Sequence, residues 1–443
     1  MLNAIGPIDG RYRGKTEELA PYFSESALIR YRLAVEVRYF IALCGIPLPE
    51  LESVDDDSKQ ALIDRMNAFT IDDAHQVKER EKVTNHDVKA VEYQVKAWME
   101  EVGLNDFSEF IHFGLTSQDI NNTATPWMLK DGLNNVLMPL LDRLIALLKS
   151  QAEQWVEVPM LARTHGQPAS PTRLGKEWRV FIERLDIQKK RIEEIPFSAK
   201  FGGATGNFNA HMVSYPEIDW PTFANGFVDS LGLQRSQTTT QIEHYDNMAA
   251  LFQGLSRVHT ILIDLCRDIW TYISMDYFKQ KVVAGEVGSS AMPHKVNPID
   301  FENAEGNLGL ANALCRHLAA DLPISRLQRD LTDSTVSRNI GLPFAYSVIS
   351  MKSMIKGLDK LQLNKSKLAD DLEANWAVVA EAIQNVLRRT GYPKPYEALK
   401  SLTRGNHRIE EEDIMRFIES LEVEEGIKSE LKRIRPENYL GYP

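Results

Sequence analysis

A chain of 443 residues is longer than one small hydrophobic core usually holds, so its length predicts about two or three packed units. Hydrophobic residues make up 43% and charged residues 26%, which is typical of a globular protein and argues against a fibrous or disordered chain. The formal net charge of −11 argues against non-specific binding of nucleic acids, but a small anionic substrate needs only local cations.

The cysteines and the N-terminal stretch indicate a compartment. Cys44, Cys266 and Cys315 include no CxxC pair and are odd in number, so we expect no disulfide framework. The N-terminal residues lack the apolar segment of a signal peptide. No apolar run approaches the roughly 20 residues needed to cross a bilayer. These features predict a reduced, cytoplasmic compartment and no membrane partner.

Four stretches with apolar residues at helical spacing predict long helices. They run from Leu133 to Leu148 with a kink at Pro139, from Leu174 to Ile192, from about Asn247 to Gln280, and from near Asp300 to about Asp321. Helices of this length, packed side by side, form an elongated bundle. Because the third stretch is apolar over much of its circumference, we infer a helical core shared between subunits.

Polar strings interrupt these stretches and hold the candidate site residues. In TNHDVKAVEY, His86 is expected near a helix N-terminus that could bind an anion, with Thr84 or Asn85 as the N-cap. In FGLTSQDINN, Thr116 and Ser117 are candidate anion-binding hydroxyls at a similar break. A capping turn is the alternative for the first string, and capping alone would explain Thr116 and Ser117 equally well.

In RTHGQPASP, Pro168 and Pro171 cannot continue a helix, so His165 is expected on a turn, with Pro171 opening the next helix. Histidine titrates near neutral pH and can protonate a leaving group, although it could instead be a structural residue that caps the turn. The string FGGATGNFNAH is interpreted as a tight connection that brings Asn207 and His211 near a cleft.

The string GSSAMPHKVNP, at residues 288–298, is interpreted as a mobile catalytic loop. A glycine-containing turn can aim several N–H groups at one point, and Lys295 adds a full positive charge. Such a site could stabilise a carbanion delocalised onto a carboxylate, with a serine as the base. The alternative is an ordinary surface loop.

Arginines are the candidate anion ligands of RLQRDLTDST and the residues after it. The spacing of Arg326, Arg329 and Arg338 allows shared helical faces, and guanidinium groups suit carboxylates and phosphates. Surface salt bridges are the alternative. The sequence contains no zinc-ligand pattern, P-loop, dinucleotide fingerprint or nucleophile elbow.

These strings also resemble those of a known family. GSSAMPHKVNP resembles the signature of the fumarase/aspartase superfamily, whose members eliminate fumarate. TNHDVKAVEY, RTHGQPASP, TTTQIE and LQRDLTDST are similar to strings of the bacterial-type adenylosuccinate lyases. The resemblance runs from about Pro7 to Tyr439. It departs at Gly114 and at the end of the chain, which follows ENYLGYP directly where close relatives continue slightly further.

The resemblance implies an all-α, fumarase/aspartase-like fold of three domains. These would be an N-terminal helical domain (1–110), a central bundle of long helices (111–345) and a C-terminal helical domain (346–443). The long helices would form the core of a homotetramer in which each active site draws residues from three subunits. No metal or organic cofactor is implied. The reactions would be the release of fumarate from adenylosuccinate, giving AMP, and from succinylaminoimidazole carboxamide ribotide (SAICAR), giving AICAR, in purine nucleotide biosynthesis.

The resemblance also implies residue roles. Ser289 would remove the Cβ proton, and His165, oriented by Glu302, would protonate the leaving nitrogen. Lys295 and Asn297, with Thr116 and Ser117, would bind the succinyl carboxylates. Arg11, Tyr12, Ser334 and Arg338 would hold the phosphate. The remaining pocket residues would be Asn85, His86, Asp87, Gln241, Ser290, Val296, Asn303 and Arg329. The alternatives are another fumarate-releasing lyase, such as one of the argininosuccinate lyase type, or a catalytically silent structural homologue.

Overall fold

The computed structural model describes residues 2–281, 296–403 and 409–442, and these ranges are predominantly helical. The α-helices in them are α1 Arg13–Thr16, α2 Ala20–Phe23, α3 Glu25–Leu43, α4 Asp56–Asn67, α5 Ile71–Thr84, α6 Asp87–Glu101, α7 Ser117–Gly132, α8 Met138–Gln154, α9 Leu174–Glu193, α10 Asn209–Ser214, α11 Trp220–Ser230, α12 Asp246–Ser274, α13 Ile299–Asp321, α14 Thr332–Ser337, α15 Gly341–Asp359, α16 Lys365–Glu373, α17 Ala380–Arg389, α18 Pro395–Thr403, α19 Glu411–Ser420 and α20 Glu425–Leu431. Short 3₁₀ segments lie at Glu17–Leu19, Pro49–Leu51, Asn105–Phe110 and Trp376–Val379. The prediction of an all-α chain is confirmed.

The strands in the described ranges are short and pair two by two. They are β1 Pro159–Met160, β2 Arg163–Thr164, β3 Gln167–Pro168, β4 Thr172–Arg173, β5 Ser198–Ala199, β6 Gln234–Arg235, β7 Phe278–Gln280 and β8 Leu361–Leu363. The pairs β1–β4, β2–β3 and β7–β8 are antiparallel, and β5–β6 is parallel. Sheets of two such short strands do not form a separate layer of the fold. They connect neighbouring helices and loops by a few backbone hydrogen bonds.

The four predicted long helices are present, with two changes. The second and fourth match α9 and α13 closely. The third begins as predicted but ends at Ser274, because Asp276 has a left-handed φ of 64° and strand β7 follows. In the first, Leu133–Leu137 forms a π-helical turn directly before Pro139, which lies in the opening turn of α8. The proline therefore lies next to an irregularity of the helix, and the kink at Pro139 stays a prediction.

The chain forms two compact units, each built from several parts of the sequence. One comprises Met1–Leu141, Gln188–Thr260 and Gly306–Lys352, and the other comprises Asp142–Ile187, Ile261–Glu305 and Ser353–Pro443. The division into three consecutive domains stays a prediction. None of the helices in the described ranges is long and apolar enough to cross a membrane.

Helix α3 lies in the core of the first unit. Its residues Tyr39 and Phe40 are completely buried, and the Tyr39 ring packs 5.1 Å from that of Phe201. A helix that is buried over most of its surface also buries some of its polar residues, and these need partners. Arg32 and Glu36 are both buried, and Glu36 Oε1 lies 2.6 Å from His112 Nδ1. The core helix therefore presents fixed charges to its neighbours.

Aromatic rings form the corresponding core of the second unit. Trp155 packs 5.1 Å from Trp178 and 5.2 Å from Phe278, measured between ring centroids. The end of α8 meets the start of α9 here without a side chain between them, because Gly175 N donates to Trp155 O at 3.0 Å. A Cβ atom added to Gly175 would lie 2.3 Å from the carbonyl oxygen of Ala152. This backbone contact requires glycine.

We therefore expect Gly175→Ala to lower the free energy of unfolding by about 1–3 kcal/mol, because the backbone of α8 has to move away. Gly226→Ala is the matched control: it lies inside α11 with nothing within 4 Å of an added Cβ, and alanine favours helices by up to about 1 kcal/mol. Urea unfolding measures both. Equal stability of the two variants would contradict the close approach at Gly175.

Candidate active site

A cleft of about 510 Å³ opens in the first unit. Its walls come from the start of α3, the junction of α5 and α6, the first turns of α7 and the region around α14. Residues proposed from separate strings of the sequence meet there: Asn85, His86, Asp87, Ser117, Arg329, Ser334 and Arg338. Together with Tyr245, just before α12, the fold thus assembles one polar site from five distant segments.

The junction of α5 and α6 directs His86 into the cleft. Asn85 adopts a left-handed φ of 49° and ends α5, and His86 is the N-cap of α6, where its Nδ1 accepts from Lys89 N at 3.1 Å. The capping roles predicted for Thr84 and Asn85 are wrong, because α5 continues through Thr84. The expectation that His86 lies at a helix start is confirmed. With Nδ1 accepting, Nε2 carries the proton and faces Ser117 Oγ at 3.4 Å.

The first turn of α7 supplies the hydroxyl group. Thr116 is the N-cap, and Thr116 and Asp119 form a capping box in which Thr116 N donates to Asp119 Oδ2 at 2.8 Å. Capping therefore accounts for Thr116, whereas Ser117 lines the cleft. Binding of a carboxylate by either residue stays a prediction.

A buried ion pair fixes this helix start. Asp119 Oδ1 lies 2.7 Å from Lys200 Nζ, and both side chains are fully buried. The same oxygen accepts from the N–H groups of Gly202 and Gly203, at 2.8 and 3.1 Å. Burial lowers the pKa of Lys200, and the Asp119 charge opposes that shift. One carboxylate thus joins the start of α7 to the loop that follows Ala199.

Asp87 lies between two arginines of the cleft. Its Oδ2 accepts from Arg32 Nη2 at 2.8 Å and from Arg338 Nη2 at 3.3 Å. Burial alone would raise the pKa of the Asp87 carboxyl, but the charge of Arg32, the amide of Val88 and the charge of Arg338 together hold it below its usual range. Asp87 is therefore ionised at neutral pH, and Arg338, which also pairs with Glu25 at 3.1 Å, is held at the cleft mouth.

The arginines of RLQRDLTDST do not share a helical face, contrary to expectation, because residues 322–331 form turns and loop before α14 begins. Arg326 makes a salt bridge with Asp330 at 2.7 Å, which is the alternative considered for it. Arg329 instead lines the cleft. Its Nη2 donates to Ser334 Oγ at 2.9 Å, and its Nη1 donates to Gln241 Oε1 at 3.3 Å. The loop, rather than a helix, separates the two guanidinium groups.

His165 lies at the tip of a hairpin in the second unit. Strands β2 and β3 pair Thr164 with Gln167, so His165 and Gly166 are the two turn residues, with φ of 53° and 74°. Positive φ at both positions is the signature of a type I′ turn. The prediction of a turn is confirmed, but Pro171 precedes β4 instead of opening α9. The His165 side chain is exposed, and within the described ranges it caps no helix.

The remaining predicted residues of the loop region are only partly described. Ser289, Ser290 and Lys295 lie outside the described residues. Directly after them, Val296 O accepts from Gln280 Nε2 at 3.1 Å, and Asn297 is half-buried. On α13, Glu302 Oε1 accepts from Trp270 Nε1 at 3.1 Å, and Asn303 Oδ1 accepts from Ser353 Oγ at 2.9 Å. Orientation of His165 by Glu302 stays a prediction.

Three other predicted positions lie outside the cleft walls. Arg11 is exposed and Tyr12 half-buried near the N-terminus, so their phosphate contacts stay predictions. The expectation that His211 approaches the cleft is wrong: it is completely buried, its Nε2 lies 3.0 Å from Tyr39 Oη, and burial lowers its pKa to about 4. Its ring would lie 2.6 Å from a Cβ at Gly114, where φ is +69°, so glycine is required there.

Some cleft residues were not found from the sequence. Arg32 belongs to an apolar stretch and Tyr245 directly follows the string TTTQIEH, and their partners, Asp87 and Asp333, are 55 and 88 residues away in the chain. Asp333 lies in the string LTDST, but the sequence pattern suggests no role for it. A buried arginine inside an apolar helix is the signal that could have found Arg32, because such a charge needs a partner.

The Asp119–Lys200 pair gives a stability prediction. Lys200→Met leaves the Asp119 charge buried and uncompensated, so we expect a loss of about 3–5 kcal/mol in the free energy of unfolding. Adding Asp119→Asn removes that charge, and its single amide oxygen can still accept either from Thr116 N or from the two glycine amides. The double variant is therefore expected to be more stable than Lys200→Met alone in urea unfolding. A double variant that is less stable would show that the pair does not act as a unit.

Comparisons with known proteins show the family of the chain. A family model described as Lyase matches residues 10–312, and one described as Adenylosuccinate lyase C-terminal matches residues 325–440. Adenylosuccinate lyase of Dictyostelium discoideum is 59% identical over 452 residues, covering 99% of this chain and 97% of that protein. Adenylosuccinate lyase of Escherichia coli K12 is 48% identical over 442 residues, with the same coverage.

Solved structures confirm the predicted fumarase/aspartase-like helical fold. A fumarate lyase from Mesorhizobium sp. BNC1 has a TM-score of 0.75 at 20% identity and covers 96% of this chain and 95% of its own. The 3-carboxy-cis,cis-muconate lactonizing enzyme from Pseudomonas putida has a TM-score of 0.74 at 19% identity, covering 96% and 94%. Identities this low show the fold alone. With matching family models and full-length relatives of 48–59% identity, the chain belongs to the adenylosuccinate lyase family, within the fumarase/aspartase superfamily.

Proposed function

We propose that this enzyme cleaves adenylosuccinate to AMP and fumarate, and SAICAR to AICAR and fumarate. Family membership supports the reaction class. The single observation that carries the substrate class is the cleft, where Arg329, Ser334 and Arg338 come together with His86 and Ser117. Guanidinium and hydroxyl groups at close range suit a substrate with one phosphate and two carboxylates.

The reaction divides into two proton transfers. Ser289, as the base, takes the Cβ proton of the succinyl group, and the electron pair delocalises onto the adjacent carboxylate. Lys295 and the amides of its loop stabilise that charge. The pair then forms the double bond of fumarate as the carbon–nitrogen bond breaks, and His165 gives its proton to the leaving nitrogen. The hairpin supports this role of His165, because the imidazole is solvent-exposed at its left-handed turn and can therefore reach a substrate.

The subunits are proposed to form a homotetramer with shared active sites. Large apolar side chains are exposed on the three longest helices of the described ranges: Val180 and Ile187 on α9, Trp270 on α12, and Leu310 on α13. Such side chains are stable on a helix surface when other subunits cover them. A cytoplasmic location is also part of this proposal, and the three free cysteines fit a reduced compartment.

A fumarate-release assay, followed by ultraviolet absorbance, tests the substrate. Adenylosuccinate should be cleaved, and its analogue without the phosphate should be cleaved far more slowly, because Arg338 and Ser334 lose their ligand. Equal rates on both compounds would favour a lyase of the argininosuccinate type. No turnover of any succinyl compound would favour a catalytically silent homologue.

Two inactive variants should complement each other. Ser289→Ala removes the base and His165→Ala the acid, so each is expected to lower kcat by at least about 100-fold. Mixed under conditions that exchange subunits, they should recover part of the activity, because some shared sites then contain both groups. His75→Ala, at an exposed histidine on α5 outside the cleft, is the control and should keep full activity. Mixtures that stay inactive would count against shared sites.

Substitutions at His86 separate its two roles. His86→Asn keeps a side-chain acceptor for Lys89 N, and asparagine is a favoured N-cap, so stability should be nearly unchanged. His86→Ala loses the cap and about 1 kcal/mol of stability. Both variants lose the imidazole N–H in the cleft, so both should show reduced kcat/KM. Full activity in His86→Asn, measured beside its thermal unfolding, would limit His86 to capping.

A further inference from the structure

We propose that Tyr245 and Asp333 position Arg329 for the substrate through a buried chain of hydrogen bonds that begins at Asn122. The inference deepens the proposed function and rests on it, because Arg329 is a substrate ligand only in that proposal. Tyr245 and Asp333 would act through the guanidinium group and are therefore positioning residues.

The chain is continuous and almost completely buried. Asn122 Nδ2 donates to Tyr245 Oη at 2.9 Å, and Tyr245 Oη donates to Asp333 Oδ2 at 2.9 Å. The exposed fractions of these residues are 3%, 4% and 6%. The second carboxylate oxygen, Asp333 Oδ1, lies 3.7 Å from Arg329 Nε. One oxygen of Asp333 is thus fixed by the phenol, and the other faces the arginine.

The direction of the hydrogen bonds is determined at both ends. Asn122 Oδ1 accepts from Glu243 N at 2.6 Å, so its Nδ2 is the group that donates to the phenol. The phenol oxygen then has its own hydrogen available for Asp333. Burial and the Asp333 charge hold the pKa of Tyr245 well above its ordinary value, so the hydroxyl stays protonated across the working pH range. Asp333 is the only acceptor that this geometry gives it among the described residues.

The guanidinium group of Arg329 contacts three side chains, those of Gln241, Ser334 and Asp333. Its Nη1 and Nη2 donate to Gln241 and Ser334. Its Nε and Asp333 Oδ1 are both buried, and neither has a hydrogen-bond partner among the described residues, although 3.7 Å separates them. Charge attraction therefore acts across a gap that the phenol keeps open by holding Oδ2. Without the phenol, Asp333 can turn, close on Nε and draw the guanidinium group towards itself and away from the cleft.

Tyr245→Phe removes only the hydroxyl, so it tests this directly. The KM for adenylosuccinate should rise about tenfold, with kcat within about twofold of the unmodified enzyme, because binding rather than proton transfer is affected. Tyr31→Phe is the matched control. Tyr31 is also 4% exposed and its hydroxyl donates to an aspartate, Asp131 Oδ2, at 2.6 Å, but neither residue lines the cleft.

Tyr31→Phe should lose similar stability and leave KM unchanged. A merely structural role for Tyr245 would give the two phenylalanine variants the same KM, and that result would overturn the inference. If Tyr245→Phe does not fold, Asp333→Asn serves instead: it keeps the size and the acceptor for the phenol, removes the charge facing Arg329, and should also raise KM. An unchanged KM in Asp333→Asn would equally overturn it.

A double-mutant cycle shows whether the effect passes through Arg329. In an Arg329→Lys background the Nε that faces Asp333 is absent. Adding Tyr245→Phe to that variant should therefore change KM by less than about twofold. Independent, multiplicative effects on KM would contradict the positioning role. An unmodified enzyme that does not cleave adenylosuccinate would refute the proposed function, whereas an active enzyme with Tyr245→Phe equal to its control would refute this inference alone.

Discussion

The ion pair of Asp119 and Lys200 is the constraint on which the cleft depends. Both side chains are fully buried, and the carboxylate also receives three backbone N–H groups, from Thr116, Gly202 and Gly203. A buried carboxylate is costly unless each of its oxygens is bonded, and here both are. The first turn of α7 therefore cannot shift relative to residues 200–203. Ser117 is the first residue of α7, so its position in the cleft wall is fixed as well.

The surroundings of this pair explain two glycines and a histidine. Gly203 approaches the carbonyl oxygen of Gly114 so closely that an added Cβ would lie 3.0 Å from it. On the other side of Gly114 lies the His211 ring, neutral because burial lowers its pKa to about 4. A charged imidazole beside Lys200 would be repelled within the same buried region. Backbone proximity, rather than chemistry in the cleft, thus determines these three residue types.

The sequence predicted what depends on local pattern and missed what depends on distant partners. Helical periodicity located α9 and α13, and two prolines placed His165 on a turn. The end of α12 was wrong because a left-handed residue, Asp276, stops the helix without any proline. The wall residue Arg32 was hidden in the apolar pattern of a core helix, and only the folded chain shows that Asp87 pairs with it. Resemblance supplied residue roles that neither periodicity nor spacing could give.

Charge in the cleft acts through geometry more than through net potential. Among the described residues that line it, the guanidinium groups of Arg32, Arg329 and Arg338 are accompanied by four carboxylates, those of Glu25, Glu81, Asp87 and Asp333. The lining is therefore no more basic than the acidic chain as a whole. At Arg338 an anion would have to replace hydrogen bonds that Glu25 and Asp87 already accept, whereas Arg329 donates to the neutral side chains of Gln241 and Ser334. The carboxylates that neutralise these arginines therefore also determine how far each guanidinium group is available to a ligand.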